Sequence, residues 1–391
     1  MAFSRGMSGL NDPRVRGILY QALLVLTVAI VSWGAAHNAY LNMRARGIPL
    51  GFGFWDQVAG FEINLHLIDY SGLSTYGRAF WVGLLNTLLV AVISIPLATV
   101  FGFAVGIARL SPNWLLSRFA FLYTIVFRNT PLLLQLLFWY NAVLKTLPGP
   151  RQSLTAAGVI FVNNRGVFLP APLARPSAIS FACAIGLAAV AFAATSLWAR
   201  RRQERTGAQT PVYWLGAAIF VGLPALAIVT AGAPFSLEFA KLSGFNLKGG
   251  LQIIPEMAAL VFGLVVFTAA FIAEIVRAGV QAVHHGQVEA ASALGLRPGL
   301  TTRLIVIPQA MRLIVPPLTS QYLNIVKNSS LAVFVGYPDL VQIFAGTVLN
   351  QTQAAVQVMA ITMAVYLAIS LAVAAALNVF NATHALQGRP A

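Results

Sequence analysis

Side chains that could do covalent or metal-based chemistry are scarce in this sequence and do not occur in catalytic spacing. The single cysteine, Cys183, lies inside an apolar stretch, so neither a disulfide framework nor a thiolate metal site is expected. His284 and His285 are adjacent and would point in different directions on a helix, which disfavours joint metal binding. The phosphate-binding pattern G-x-x-x-x-G-K-[ST] is absent from the sequence. We therefore predict no catalytic, cofactor or metal site here, and any ATP hydrolysis must occur on another polypeptide.

A second set of candidates consists of charged and polar side chains inside long apolar runs, where such groups usually face a cavity or a partner. Arg128 lies about ten residues into one such run. Thr130 and Pro131 predict the N-cap and first residue of a new helix, whose positive end would suit a carboxylate. Two interpretations are open. Either Arg128, Asn129 and Thr130 border a substrate path, or Arg128 is structural and pairs with Glu274 or with backbone carbonyls.

Further polar groups at similar depth are also open to either a functional or a structural interpretation. Glu274 and Arg277 lie three residues apart on one helical face, so they either form a local ion pair or meet an ammonium group directly. The polar cluster that begins at Lys327, Asn328 and Ser329 is either a cavity-lining unwound segment or an interfacial cap. Other candidates for the path or for a seam between subunits are Asn86, Thr87, Gln309, Arg312 and Asn324.

Long apolar runs must position these groups. Of the 391 residues, 58% are hydrophobic and 9% are charged, whereas a soluble domain carries roughly a quarter charged residues. About 20 apolar residues cross a bilayer. We predict an all-α membrane protein with about eight transmembrane helices, at 17–37, 80–109, 118–143, 178–199, 211–231, 253–279, 304–327 and 355–381. The shorter stretch 331–346 is predicted to be re-entrant or interfacial.

The first apolar run also has features of a secretion signal. Arg14 and Arg16 precede it, and the small residues Gly34, Ala35 and Ala36 follow it. A cleaved signal has a shorter apolar region, so we favour an uncleaved first span.

The net charge of +15 indicates orientation in a membrane rather than binding to nucleic acid, because the basic residues form short clusters beside the apolar runs. With both termini in the cytoplasm, the inner side holds Arg5, Arg14, Arg16, Arg109, Arg118, Arg200, Arg201, Arg202, Arg205, Arg297 and Arg303. The opposite loops are longer and hold fewer basic residues for their length. The positive-inside bias therefore predicts cytoplasmic N- and C-termini, with anionic lipid beside the arginines.

The stretch 144–252 differs from its surroundings, since its first part is rich in Pro and Gly and its two apolar runs lack polar side chains. A hairpin of two plain helices can be inserted without changing the in/out order of later spans. We therefore divide the chain into an N-terminal part (1–79), a first core part (80–143), an accessory insertion (144–252) and a second core part (253–391).

The linker between the sixth and seventh predicted spans has an informative order of residues. Gly286 and Gln287 precede Glu289, whose charge complements a helix N-terminus, and good helix formers follow. Gly295, followed by Pro298, predicts the end of this helix. The result is a short helix of small side chains outside the membrane, a ridge that can enter a cleft on a soluble partner.

This linker resembles the cytoplasmic signature of the permease subunits of bacterial ABC importers, which is E-A-A, three residues, G, nine residues, I-x-L-P. The matching residues are Glu289, Ala290, Ala291, Gly295, Ile305 and Pro308, with Ile307 in place of leucine. In that family this segment is the coupling helix that docks on the ATPase. The alternative is an ordinary interhelical loop whose alanines merely favour a helix.

Three other segments resemble the polar amino acid permeases of this superfamily. Residues 127–135 resemble R-G-T-P-L-x-x-Q, with Asn129 in place of glycine and Gln135 as the last residue. Residues 322–331 resemble Y-x-N-x-x-K-D/N-[ST]-S-L, and residues 271–277 resemble Y-x-A-E-x-x-R. The resemblance covers a five-span core, leaving the first span and the insertion outside it. This layout is similar to the larger permease of the general L-amino acid transporters of alphaproteobacteria, which pair two different permeases.

The resemblance implies a type I importer permease in a bacterial inner membrane. Its expected partners are a second permease, an ATPase dimer that holds ATP and Mg²⁺, a periplasmic binding protein and an L-amino acid. It does not say which amino acids pass.

Two other function classes are disfavoured by the residues themselves. An ion-coupled secondary transporter should show internal repeats and intramembrane carboxylates, yet the predicted spans hold only Glu274 and, at the edge of the same span, Glu256. An intramembrane protease or acyltransferase should show H-E-x-x-H, paired aspartates or a Ser/His combination at membrane depth, and none is visible in the sequence.

Overall fold

Helices make up most of the protein, as predicted. The computed structural model describes residues 13–45, 47, 51–208 and 210–384. The α-helices are α1 (Pro13–Ala45), α2 (Tyr76–Arg109), α3 (Trp114–Asn129), α4 (Leu132–Leu137), α5 (Ser177–Thr206), α6 (Val212–Ala231), α7 (Pro255–Gln281), α8 (His285–Ala293), α9 (Pro298–Thr301), α10 (Ile307–Asn328), α11 (Leu349–Thr352) and α12 (Ala355–His384). Segments of π-helix lie at Phe138–Leu144, Thr302–Val306 and Val341–Val348, and 3₁₀ turns lie at Pro150–Gln152 and Ser329–Phe334.

Among the described residues, six helices are long and apolar enough to cross a membrane, and the broken pair of α3 with Leu132–Leu144 would make a seventh. These correspond to seven of the eight predicted spans. The remaining prediction, 304–327, falls on α10, which is a long helix but less apolar because it includes Gln309, Arg312 and the pair Pro316 and Pro317. The stretch 331–346 contains no spanning helix.

The described residues fall into two compact units. The first comprises the described parts of 1–130 and 264–391, and the second is 131–263.

In the first unit, glycines let α2 approach α7 closely. A Cβ added at Gly102 would lie 2.6 Å from the Cβ of Ile272, and one at Gly106 would lie 2.7 Å from that of Val276. Ile272 and Val276 belong to a buried apolar cluster with residues of α2 and α10. Small residues at a helix crossing permit backbone approach, which is how helices in lipid gain van der Waals contact. The crossing fixes the end of α2 beside the second half of α7.

Residues 51–75, predicted only as a loop, fold against the start of α2. Trp55 lies 5.2 Å from the ring of Phe80, and Phe80 lies 5.3 Å from Phe344. Gly77 is needed here, because a Cβ would lie 2.5 Å from the Trp55 indole nitrogen. The aromatic rings bury enough area to hold a segment without regular secondary structure.

A buried polar network joins the turn after the 3₁₀ segment to α2 and α12. The Asp339 carboxylate accepts from the backbone N–H of Gln342 at 2.8 Å and from the hydroxyl of Tyr366 at 3.0 Å. The amide of Asn86 donates to the carbonyl of Pro338 at 2.8 Å. Two further hydrogen bonds join α2 to this turn. The Tyr337 hydroxyl donates to the carbonyl of Asn86 at 3.0 Å, and the backbone N–H of Leu340 donates to the Thr87 hydroxyl at 3.1 Å. Asn86 and Thr87 are buried in this network, where they bind the turn.

Asp339 makes the stability of the first unit sensitive to pH. It lies outside the membrane-spanning helices, and burial raises its pKa to about 7. The folded state therefore holds a proton that the unfolded state releases near pH 4. We expect the free energy of unfolding to fall as the pH rises from about 4 to about 7. Asp339→Asn should flatten this dependence in thermal unfolding at pH 5 and pH 8, whereas Asp56→Asn, at an exposed site, should not. An unchanged pH profile in Asp339→Asn would contradict the assignment.

The second unit contains short strands that the all-α prediction missed. They are β1 (Leu154–Ala156), β2 (Ile160–Asn163), β3 (Gly166–Leu169), β4 (Ala171–Ala174), β5 (Phe235–Glu238), β6 (Lys241–Ser243), β7 (Asn246–Lys248) and β8 (Leu251–Ile253). One sheet has the order β1-β2-β3-β8, and β4-β5 and β6-β7 form two-stranded antiparallel ribbons. Strands of three or four residues are too short to show a reliable alternation of apolar and polar residues.

Specific contacts close this β-structure around the α5–α6 hairpin. Gly166 has φ +121°, and a Cβ there would lie 2.1 Å from the carbonyl oxygen of Ile253 in β8. The hydroxyl of Ser177, at the start of α5, donates to the carbonyl of Ala233 at 2.8 Å, just after α6. Phe192 and Phe220 meet between the two helices at 5.9 Å.

Candidate functional site

The predicted linker helix is present as α8, with defined caps at both ends. His284 is the N-cap, and its Nδ1 accepts from the backbone N–H of Gly286 at 3.2 Å. Gly295, at φ +77°, donates to the Ser292 carbonyl at 3.0 Å, and Leu296 donates to the Ala291 carbonyl at 3.1 Å. This pair of bonds is a Schellman motif, which needs a residue in the left-handed region and so favours glycine. The predicted C-terminal role of Gly295 is confirmed.

One detail of the prediction is wrong. Glu289 is the fifth residue of α8 rather than part of its first turn, since the helix begins at His285. Its carboxylate lies 2.9 Å from Nδ1 of His285, one turn earlier. The carboxylate is therefore positioned by a neighbour one helical turn earlier rather than by the helix dipole.

The two faces of α8 differ in exposure. Ala291 is buried against the protein, whereas Glu289, with 70% of its side chain exposed, and Ala290 lie on the open side. Leu294, just after the last residue of α8, is 82% exposed. Gln287 is also exposed and Gly286 is half-buried. Small residues and an exposed leucine form a surface that can enter a cleft on a soluble partner.

The chain continues from α8 to α10 without a flexible loop. Pro298 begins α9, and Pro308 is the second residue of α10, directly after the π-helical segment Thr302–Val306. A groove of about 580 Å³ lies beside α8, lined in part by Val280, His284 and Val306. The groove is therefore lined by the end of α7, by α8 and by the segment that leads into α10.

A second cluster of chemistry-bearing groups surrounds Glu274 on α7. Its carboxylate accepts hydrogen bonds from Arg277 on the same helix and from Arg109 at the end of α2. Arg128, near the end of α3, lies 3.7 Å from the same carboxylate, and its guanidinium is 5.3 Å from the ring centre of Phe271. We call Glu274, Arg109, Arg128 and Arg277 the charge cluster.

The charge cluster has an excess of positive charge, because one carboxylate faces three guanidinium groups. Arg109 is almost buried, whereas 39% of the Arg128 side chain is exposed. Guanidinium groups bind carboxylates in two-point geometry, so the open edge of Arg128 can accept a further anion. The predicted pair of Glu274 with Arg277 is present, and so is the contact of Arg128 with Glu274.

The predicted cap at the helix break is wrong by one residue. Helix α4 begins at Leu132, Pro131 occupies its N-cap position, and no side chain caps it. The hydroxyl of Thr130 donates back to the Val126 carbonyl at 2.8 Å, within α3. A proline before the helix has a φ compatible with the cap position, so it can take the place predicted for threonine.

The other predicted path residues differ in exposure. Asn129 is exposed at the end of α3, and Gln135 is buried in α4. On α10, Asn324 and Lys327 are exposed and Asn328 is half-buried. Ser329 is buried and donates to the Val326 carbonyl at 2.7 Å. Their contact with a substrate stays a prediction.

Sequence reasoning missed the role of Arg109, which it placed only among cytoplasmic charges. The available signal was the isolated Glu274, because an intramembrane carboxylate requires cationic partners and one arginine three residues away is seldom enough. The exposed Leu294 was also missed, since it lies between the letters of the signature.

Comparison with known proteins identifies the family. Residues 94–385 match the family described as binding-protein-dependent transport system inner membrane component. A putative amino-acid ABC transporter permease of Escherichia coli, YhdX, is 49% identical over 98% of both chains. The general L-amino acid transport system permease AapQ of Rhizobium johnstonii is 46% identical, over 98% of this chain and 95% of its own. The glutamate/glutamine/aspartate/asparagine permease BztB of Rhodobacter capsulatus is 39% identical, over 97% and 96%.

The match covers well over half of the chain and includes both α8 and the charge cluster. Members of the family are inner membrane components that work with an ATPase and a binding protein, and they are not enzymes. This protein therefore belongs to the binding-protein-dependent transport system inner membrane components, as a multi-pass permease subunit of an ABC importer with the type I fold.

Proposed function

We propose that this permease carries L-amino acids across the inner membrane and forms the pathway together with a second, homologous permease. The observation that carries the coupling part of the proposal is α8, a capped helix with Glu289 and Ala290 exposed and Ala291 buried. The amino acid part is supported by the names of the three relatives. Their full-length coverage means that the insertion and the first helix are shared as well.

ATP hydrolysis and substrate delivery are carried out by separate partner proteins. ATP and Mg²⁺ reside on an ATPase dimer, and a periplasmic binding protein delivers the substrate. The N- and C-termini lie in the cytoplasm, since the arginine-rich end of α5 would otherwise face outward against the positive-inside bias. Closure of the ATPase dimer moves α8, and the stiff connection through Pro298 and Pro308 transmits this movement to α10.

Within the charge cluster, Arg128 is the side chain that binds the substrate. Arg128 is held by Glu274 and Phe271, and its open edge binds the α-carboxylate. One relative is named for L-amino acids in general, and another is named for glutamate, glutamine, aspartate and asparagine, which include charged and neutral side chains. A site that recognises the carboxylate common to all of them fits such a range, and selection among side chains then belongs to other contacts.

The proposal is tested by reconstitution. The permease pair, the ATPase and the binding protein are placed in proteoliposomes, and uptake of labelled L-glutamate and L-leucine is followed with ATP inside. Uptake that requires both ATP and the binding protein is expected. A complex that hydrolyses ATP but carries neither of these amino acids nor any other would contradict the proposed substrate class.

Arg128→Leu separates a substrate contact from a structural role. We expect transport to fall by about tenfold or more, because one charged hydrogen bond to the substrate is lost. Assembly of the complex, measured by size-exclusion chromatography, should be unchanged, since Arg109 and Arg277 still neutralise Glu274. Arg118→Leu, on the same helix, is the matched control. Failure of Arg128→Leu to assemble would support a structural role instead.

A further inference from the structure

The β-structure of the second unit presents a positively charged surface. Residues 144–176 and 232–254 contain six basic side chains and one carboxylate, Glu238. The basic ones are Lys145, Arg151, Arg165, Arg175, Lys241 and Lys248. Solubility alone does not require such an excess of positive charge. A positively charged surface attracts a negatively charged partner.

In the β6–β7 ribbon two of these positive charges lie close enough to repel each other. Lys241 and Lys248 are direct cross-strand partners, so both exposed ammonium groups project from the same face. Like charges directly opposite one another destabilise a strand pair. Within the part of the chain that the structure describes, no ion pair involves either lysine. Carboxylates supplied by a partner would relieve the repulsion.

The turn of the same ribbon carries an exposed aromatic anchor. Phe245 follows Gly244, which has φ +66°, and 77% of the phenylalanine is exposed. The guanidinium of Arg151 lies 4.1 Å from its ring centre, which holds the ring in one orientation. Aromatic and arginine side chains are enriched at the energetic centres of protein interfaces. We call Arg151, Lys241, Phe245 and Lys248 the ribbon patch.

Chain topology determines on which side of the membrane the ribbon patch lies. Strand β8 ends at Ile253, α7 begins at Pro255, and α8 follows directly after α7. Helix α7 is long and apolar enough to cross a membrane once, and under the proposed function it does so, which places the chain before α7 and the chain after it on opposite sides. The ATPase binds on the α8 side, so a soluble partner of the ribbon patch must be outside the cytoplasm.

We propose that the ribbon patch is a docking surface for the periplasmic binding protein of this importer, through an acidic area on that protein. This inference rests on the proposed function, which places α8 in the cytoplasm. It adds a role for the insertion, namely that the inserted strands extend the receptor surface beyond the permease core. Phe245 supplies the apolar contact, and the two lysines supply charge complementarity.

The test measures how strongly the binding protein stimulates ATP hydrolysis. The complex is assembled in nanodiscs, and hydrolysis is titrated with the binding protein that supports uptake by wild type, loaded with L-glutamate. We expect Lys241→Glu/Lys248→Glu to need about tenfold more binding protein for half-maximal stimulation, with unstimulated hydrolysis unchanged. Added salt should weaken stimulation more in wild type than in this variant. Phe245→Ala should also raise the concentration required, without altering the salt dependence.

A matched control reverses the same amount of charge elsewhere in the second unit. Lys145→Glu/Arg175→Glu changes two cations outside the ribbon patch and should alter stimulation far less. A photoreactive phenylalanine analogue at position 245 should cross-link to the binding protein. Cross-linking to the second permease or to lipid instead, or unchanged stimulation in Lys241→Glu/Lys248→Glu, would overturn the inference. If wild type shows no stimulation at all, the proposed function itself fails.

Discussion

A complex that carries Glu289→Lys is expected to lose its ATPase subunits or to stop coupling hydrolysis to transport, while the permease still inserts into the membrane. Glu289 is 70% exposed on α8 beside Ala290, so its replacement disturbs no internal packing. Reversal of a charge at the centre of an interface costs about 3 kcal/mol, which is roughly a hundredfold in affinity. Co-purification of the ATPase and ATP-driven uptake measure the two expected losses.

The same substitution elsewhere on the proposed cytoplasmic side provides the control. Glu204→Lys is exposed near the end of α5 and should leave the ATPase bound. His285→Ala removes the helical neighbour that contacts Glu289 and should have a smaller effect than Glu289→Lys. A Glu289→Lys complex that retains its ATPase and transports at the wild-type rate would refute the assignment of α8 as the coupling helix.

Glu274→Gln is expected to have the second large effect, on stability as well as on transport. It leaves Arg109, Arg128 and Arg277 clustered with no carboxylate among them, although all three contact Glu274 in the native protein. Removing one partner of a buried ion pair costs about 3–5 kcal/mol. Because Glu274 is 26% exposed, solvent screening lowers this cost, and we expect a loss below that range, about 2–3 kcal/mol. Thermal unfolding in detergent and the yield of assembled complex measure the loss.

A double variant distinguishes charge repulsion from loss of shape. Glu274→Gln/Arg128→Leu removes one of the three cations and should regain part of the stability, but not transport. Glu256→Gln, at the other end of α7, is the matched control, since a glutamine can still accept the 2.7 Å hydrogen bond from the hydroxyl of Tyr140. If Glu274→Gln unfolds at the wild-type temperature, the charge cluster has no stabilising function.

Both predictions depend on residues that the sequence identified to different degrees. Glu289 and Gly295 could be found from spacing alone, because a short helix, its caps and its terminating glycine depend on neighbours within a few residues. Glu274 and Arg277 could be paired for the same reason. Arg109 could not be added to them, because it is 165 residues away and reaches Glu274 only through the close crossing of α2 and α7 at Gly102 and Gly106.

The cap at the helix break shows a limit of local reasoning as well. Thr130 and Pro131 have the types expected for an N-cap and first helical residue, yet the structure shifts both by one position. The hydroxyl of Thr130 donates instead to the Val126 carbonyl in the preceding turn of α3. Two local hydrogen-bonding options compete at such a site, and residue type does not decide between them.

The sequence by itself determined that the chain is a helical membrane protein with a short helix that ends at Gly295 in the linker after α7, because run length and local spacing carry that information directly. Only the tertiary structure revealed the folded segment before α2, the strands of the insertion and the full charge cluster. Each of these is held by contacts between residues far apart in the chain, such as Trp55 with Phe344 and Val167 with Ile253. Their individual segments are too short or too irregular to produce a periodic pattern.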